Sequence, residues 1–436
     1  MKLHDYQLRM AEHMVEHRGA MCWSEVGLGK TAATLQALRM MKARGEPIQV
    51  LIVAPKRVSE HVWEAERDLW APKMPMLVIK GNQAQRRRAL RTPCPVKVIG
   101  RDNVKWLVDE LKDRWPFNVL VVDESQGFKS PSTARFKALK RVKFDRVILL
   151  SATPASEGLL GLWSQCYLAD QGARLGKTYT GYTNAFFVGD YMGWNLTPRP
   201  NAEKEIHARV KDITVAMRAE DYLDLPERIN SNTVVEMLPS EFKVYEQLRR
   251  DALLPIANGE PITAANAAVL WGKLHQLSGG AIYDEDKAVH VFSNAKLAGL
   301  QDVITAANGN PVLVFYGYRH EIDRIQAATG AELLDVDRWN AGEQRVALAH
   351  PDSCGAGLNL QHGGSIAVWF TLPASLGQYI QACGRLHRQG QKRPVFIHHL
   401  VVAGTSDEVV LARLGEKSTT QVELLRAMVK SSQAPQ

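Results

Sequence analysis

The chain has 436 residues, 45% hydrophobic and 23% charged, with 54 Lys and Arg against 46 Asp and Glu for a net charge of +8. That length exceeds one ordinary core and suits two or three domains. The composition excludes a low-complexity chain, no apolar run approaches the ~18–20 residues that span a bilayer, and five scattered cysteines without a C-x-x-C pair give no zinc or disulfide framework.

The start, Met1-Lys2-Leu3-His4-Asp5-Tyr6-Gln7, has an early acid and no apolar signal core, so a cytoplasmic protein is expected. A short apolar run follows, Gly19-Ala20-Met21-Cys22-Trp23, with Met21–Trp23 read as a strand. Then comes Ser24-Glu25-Val26-Gly27-Leu28-Gly29-Lys30-Thr31, which opens a helical pattern from Thr31 to Arg44. A glycine turn between strand and helix presents backbone N–H groups at a helix N-terminus. A lysine there reaches the β- and γ-phosphates, and a threonine hydroxyl can ligate Mg²⁺. The reading is a nucleoside triphosphate site. Ser24 stands where the strict phosphate-loop pattern has its first glycine, so a plain turn ending in a surface lysine is the alternative.

Further strands are expected at Val50–Ala54, Val96–Gly100, Asn118–Val122 and Arg146–Leu150, with helical patterns between them. That alternation predicts a parallel sheet covered by helices, with ligands beyond the carboxyl ends of its strands. Three strands end in polar signals: Pro55-Lys56, Asp123-Glu124 and Ser151-Ala152-Thr153-Pro154. An apolar strand closing in two carboxylates suits metal-assisted phosphoryl chemistry, one acid on Mg²⁺ and the other on the attacking water. A surface acid pair is the plainer alternative. The Ser-Ala-Thr turn reads equally as a γ-phosphate sensor or a helix cap before proline.

Residues 160–300 are less regular, with an aromatic, glycine-rich stretch at 179–194 and helical segments at Pro239–Leu253 and Ala264–Leu277. Strands then return at Pro311–Tyr318, Arg345–Ala349, Ser365–Leu372 and Val395–Val402. Ser375 with Gln378 forms a capping-box pattern, which predicts a helix from Leu376. That helix would carry Gln378, Gln381, Arg385 and Arg388 on one face. The face suits phosphoryl charge, or is simply solvated. The basic runs Gln85–Arg88 and Gly390–Arg393 can track nucleic-acid phosphates, or be solvated faces as well.

Taken in order, these segments resemble the superfamily-two helicases, most closely the Swi/Snf-like DNA-translocating ATPases and their short bacterial and phage members. Leu3-His4-Asp5-Tyr6-Gln7 resembles the Q motif. Glu25–Thr31 is similar to the end of D-E-M-G-L-G-K-T, and Asp123-Glu124-Ser125-Gln126 to D-E-A-H with Gln126 for His. Met217-Arg218-Ala219-Glu220-Asp221 with Asp224-Leu225-Pro226 resembles the inter-lobe signature. Gly355-Ala356-Gly357-Leu358-Asn359-Leu360 resembles motif five, and Gln381–Gln391 the motif Q-A-x-x-R-x-H-R-x-G-Q.

The resemblance implies an α/β protein of two tandem RecA-like lobes with a small insertion between them: 1–215, a linker and insertion at 216–290, and 291–436. It implies ATP held by Gln7, Gly27, Leu28, Gly29, Lys30, Thr31 and Gly357, and Mg²⁺ by Thr31 and Asp123. Lys30, Asp123, Glu124, Arg385 and Arg388 would be catalytic, the two arginines as fingers from lobe two. Gln126, Ser151, Thr153 and Gln381 would couple the site to motion, and Lys56, Gly355 and Asn359 would touch nucleic acid. The implied activity is ATP-driven translocation on duplex DNA through sequence-independent backbone contacts, by a monomer in a bacterial or phage-infected cell. A strand-separating helicase, a motor subunit of a nuclease or restriction complex, and a non-enzymatic nucleic-acid-binding module are the alternatives, and replication, recombination or nuclease proteins are the partners it would have.

Overall fold

The structure is a computed structural model and describes residues 2–156, 158–189, 196–257, 264–284, 286–354 and 358–432. It divides into two compact units, Met1–Leu223 with Lys417–Gln436, and Asp224–Glu416.

In the first unit the strands are β1 Gly19–Ser24, β2 Val50–Ala54, β3 Met76–Ile79, β4 Val96–Gly100, β5 Val119–Asp123, β6 Arg146–Ser151, a small antiparallel pair β7 Phe187–Gly189 and β8 Leu196–Pro198, and β9 Thr214–Met217. Seven of them form one sheet in the order β3-β4-β2-β5-β6-β1-β9, every pairing parallel. Strands β2, β4 and β5 are buried along their whole length. They are Val- and Ile-rich because helices cover both faces of a parallel sheet. A parallel sheet also gathers all its carboxyl ends at one edge. Ser24, Ala54, Gly100, Asp123, Ser151 and Met217 therefore share that edge, and the chemistry-bearing turns follow from it.

In the second unit β10 Arg228–Val235, β13 Val312–Phe315, β14 Glu332–Leu333, β15 Val346–Ala349, β16 Ile366–Trp369 and β17 Val395–Val402 form a sheet in the order β10-β17-β16-β13-β15-β14, again all parallel. A separate pair, β11 Ala281–Tyr283 and β12 Val289–Val291, is antiparallel. Two apolar clusters centred on Leu313, Phe315 and Trp369 and on Val314, Val368 and Leu400 fill the two faces of the main sheet. Among the described residues no helix is long and apolar enough to cross a membrane.

The sequence pattern missed four strands of the two main sheets. Met76–Ile79 and Thr214–Met217 are only four residues long, and Glu332–Leu333 two. Arg228–Val235 is an edge strand in which exposed and half-buried residues alternate and most are polar, so it carries no apolar run. One helix is shorter than expected. It spans Leu376–Cys383 and stops at Gly384, so Gln378 and Gln381 are helical, but Arg385 and Arg388 lie in the turns beyond it. The Ser375 half of the expected box is present, its hydroxyl accepting from Gln378 N at 3.4 Å.

Candidate nucleotide site

The loop between β1 and the helix Lys30–Ala43 has Gly27 at φ 91° and Gly29 at φ 74°, a left-handed geometry that favours glycine. Gln7 is buried beneath it. Its Nε2–H donates to Leu28 O at 3.3 Å, and its Oε1 accepts from His4 N at 3.0 Å. A Cβ on Gly29 would meet Gln7 Nε2 at 2.1 Å, so the glutamine packs directly on the loop. Lys30 folds back along the loop and donates to Ser24 O at 2.6 Å and Glu25 O at 3.3 Å. Thr31 lies on the first turn of the helix.

Glu25 ties this loop to the segment after β9. Its backbone N–H donates to Met217 O at 3.1 Å, and its carboxylate accepts from Ala219 N at 2.8 Å. Burial pushes the Glu25 carboxyl up, while the Ala219 N–H works against that. Arg218 pairs with Asp221 at 2.9 Å. Tyr222 packs against Tyr6 with ring centroids 4.8 Å apart and the planes tilted by 33°. The inter-lobe signature up to Tyr222 thus packs around the phosphate loop and the first helix, Asp5–Glu16.

Asp123 ends β5 and is 9% exposed. Burial, and next the Glu124 carboxylate, raise its carboxyl above the usual range, and the Lys30 charge opposes them. The Trp63 indole Nε1–H donates to Asp123 Oδ2 at 3.1 Å. Glu124 adopts φ 55°, ψ 59°, a left-handed conformation that a non-glycine residue holds only when its surroundings fix it. Gln126 supplies one such restraint, donating from Nε2 to Glu124 Oε2 at 2.6 Å. Ser151 Oγ donates to Gln126 Oε1 at 2.7 Å, and Thr153 N donates to Ser151 Oγ at 3.0 Å. Three of the four residues expected to couple the site to motion, Gln126, Ser151 and Thr153, therefore form one hydrogen-bonded chain with Glu124. An amide can play this part because it both donates and accepts.

A phosphate chain with a divalent cation fits these residues. Ser24 Oγ and Thr153 Oγ1, at the ends of β1 and β6, are buried hydroxyls without a hydrogen-bond partner among the described residues. A buried, raised carboxyl such as Asp123 is the kind that a cation relieves.

Lys56 is exposed just after β2, its carbonyl accepting from Ser59 Oγ at 2.7 Å. Arg101 and Arg135 converge on Gly127 nearby, Arg135 Nε donating to Gly127 O at 2.8 Å.

In the second unit Arg385 is 6% exposed and points inward. Its Nε–H donates to Cys354 O at 2.9 Å and its Nη1 to Leu358 O at 3.5 Å. Arg388 Nη1 donates to the same Leu358 O at 3.0 Å. Arg385 thus holds Cys354 and Leu358, and Arg388 holds Leu358, each through the backbone carbonyl. Gly355 and Gly357 lie outside the described residues. Asn359 is exposed, and its carbonyl accepts from Asn340 Nδ2 at 2.8 Å. Gln381 is half-buried on its helix. His387 Nε2–H donates to Pro226 O at 2.8 Å.

Sequence reasoning missed Trp63, the Glu25 link to Ala219 and the His387 link to Pro226. The first reads as an ordinary apolar helix residue, and the other two join positions more than 150 residues apart.

A parallel-sheet unit with a glycine phosphate loop, facing an acid pair at the same edge, defines the class. Comparisons with known proteins narrow it. The chain matches the SNF2-related domain over residues 6–276. It is 34% identical to putative protein p41 of Acyrthosiphon pisum secondary endosymbiont phage 1, over 97% of this chain and 98% of that one. It is 26% identical to the Bos taurus DNA annealing helicase and endonuclease ZRANB3, over 94% of this chain but only 39% of that protein. The solved Sulfolobus solfataricus SWI2/SNF2 ATPase core in complex with dsDNA covers the whole chain at 20% identity and a TM-score of 0.48. The chain belongs to the SNF2-related family.

Proposed function

We propose that the chain is a DNA-stimulated ATPase that moves along duplex DNA. The observation that carries the ATPase reading is the convergence of Lys30, Asp123 and Glu124 at one sheet edge, with Glu124 held by Gln126. Gly27 to Thr31 hold the triphosphate and Lys30 balances its charge. Thr31 and Asp123 hold Mg²⁺, which supplies charge neutralisation at the transferring phosphoryl group. Glu124 orients and deprotonates the attacking water. Gln7 retains a free amide hydrogen and lone pair for a base edge beside the loop. In the second unit Arg385 and Arg388 keep Leu358 in place through its carbonyl. Lys56 and Asn359, both exposed, contact the nucleic-acid backbone, which gives sequence-independent and salt-sensitive binding. The SNF2-related membership and the named helicase activity of ZRANB3 support this reading.

The test is phosphate release with and without duplex DNA in wild type and Lys30→Ala. Wild type should be stimulated by DNA. The variant should lose roughly 10²-fold or more in turnover with unchanged thermal melting. Normal turnover in the variant would remove the phosphate-loop assignment. On the same preparation, displacement of a triplex strand supports translocation, whereas opening of a forked duplex without it makes the protein a strand-separating helicase.

A further inference from the structure

The segment after Lys56 has an unusual build. Residues Val58–Val62 form a π turn, which passes directly into the helix Trp63–Trp70. A π turn admits an extra residue and rotates the helix beyond it, and such turns recur at functional sites. Here the first residue of that helix is Trp63, fully buried, whose Nε1–H reaches Asp123 Oδ2 at 3.1 Å across 60 residues of sequence. The indole adds one uncharged donor aimed at a buried carboxylate.

We propose that Trp63 is a positioning residue for Asp123: its N–H holds one carboxylate oxygen, so that the carboxylate meets the divalent cation of a bound nucleotide in a single orientation. An uncharged donor suits this task. A lysine or arginine in its place would orient the carboxylate but also cancel the charge that the cation needs. Outer partners of this type typically set metal affinity by 10–100-fold. The proposal rests on Asp123 as a Mg²⁺ ligand.

The experiment titrates a fluorescent ADP analogue against wild type, Trp63→Phe and Asp123→Ala, in EDTA and over a series of Mg²⁺ concentrations. Trp63→Phe should need about 10-fold more Mg²⁺ to reach half of its effect, with nucleotide affinity in EDTA unchanged. Equal weakening with and without Mg²⁺ would mean that Trp63 only packs, and overturns the proposal. No Mg²⁺ dependence in wild type, or a full one in Asp123→Ala, removes Asp123 as ligand and takes the proposal with it. Should Trp63→Phe not fold, the ten tryptophan indoles can be followed by ¹⁵N-indole NMR. One resonance should move when Asp123→Asn is introduced and should move in wild type on adding Mg²⁺ and ADP. A full set of unmoved resonances in either comparison would overturn the proposal.

Discussion

At the scale of single residues, the most informative is Gln126. Histidine is the family residue at this position, and a glutamine amide has no proton to lose near neutrality. The amide nevertheless bridges Glu124 to Ser151 with bonds of 2.6 and 2.7 Å. Glu124 is in a left-handed backbone conformation, so its carboxylate direction depends on that support. Gln126→Ala should leave nucleotide affinity intact and lower turnover by about 10-fold, a fraction of the 10²–10⁴ that a well-placed general base contributes. Single-turnover hydrolysis beside equilibrium binding separates the two effects. Gln126→His should retain more activity and add an inflection near pH 6.5 to the rate profile. An unchanged profile in that variant would mean that position 126 does not act on Glu124.

At the scale of elements, the phosphate loop is shaped from both sides. Gln7 reaches it from the helix Asp5–Glu16, and Glu25 fastens it to the turn after β9. Gly29 is where these constraints meet, since its φ of 74° and the Gln7 amide leave no room for a side chain. Gly29→Ala should cost about 1–2 kcal/mol from the left-handed backbone alone. It should also displace the Gln7 amide and weaken nucleotide binding. Thermal melting reads the first effect and nucleotide titration the second. Equal nucleotide affinity in the variant would separate Gln7 from the nucleotide site. The helix Leu376–Cys383 makes a different point. Helical spacing put Arg385 and Arg388 on one face with Gln378 and Gln381. The chain instead leaves the helix at Gly384, and Leu360 N donates to Arg385 O at 3.2 Å.

At the scale of the whole molecule, five histidines among the described residues are pushed down to about 4 by burial: His13 and His207 in the first unit, His275, His320 and His399 in the second. Neither ring nitrogen of His320 has a hydrogen-bond partner among the described residues, and its ring stacks on Tyr318 and meets Tyr283 edge-on. The unfolded chain binds a proton near pH 6.5, which the folded one refuses down to about 4. Stability from such a group is full above about pH 6.5 and is lost as the pH falls toward 4, with a slope of up to about 1.4 kcal/mol per pH unit. The raised carboxyls of Glu25, Asp123 and Glu321 act in the opposite sense. His320→Phe keeps the ring contacts and removes one titration. Its urea midpoint should match or exceed that of wild type at pH 7.5 and fall less by pH 5; parallel losses would place the acid sensitivity elsewhere.

The sequence by itself determined the long buried strands, the phosphate loop, the acid pair and the order of the family motifs. Each of these is local: an apolar run, a glycine spacing or a short string of residue types carries it. Only the tertiary structure decided the features made by distant segments meeting. It paired Trp63 with Asp123, Glu25 with Ala219 and His387 with Pro226. It placed β9 and β10 in their sheets although neither has a strong apolar run. It also turned Arg385 inward onto Cys354 and Leu358, because a buried guanidinium needs carbonyl partners that no periodicity in its own segment can reveal.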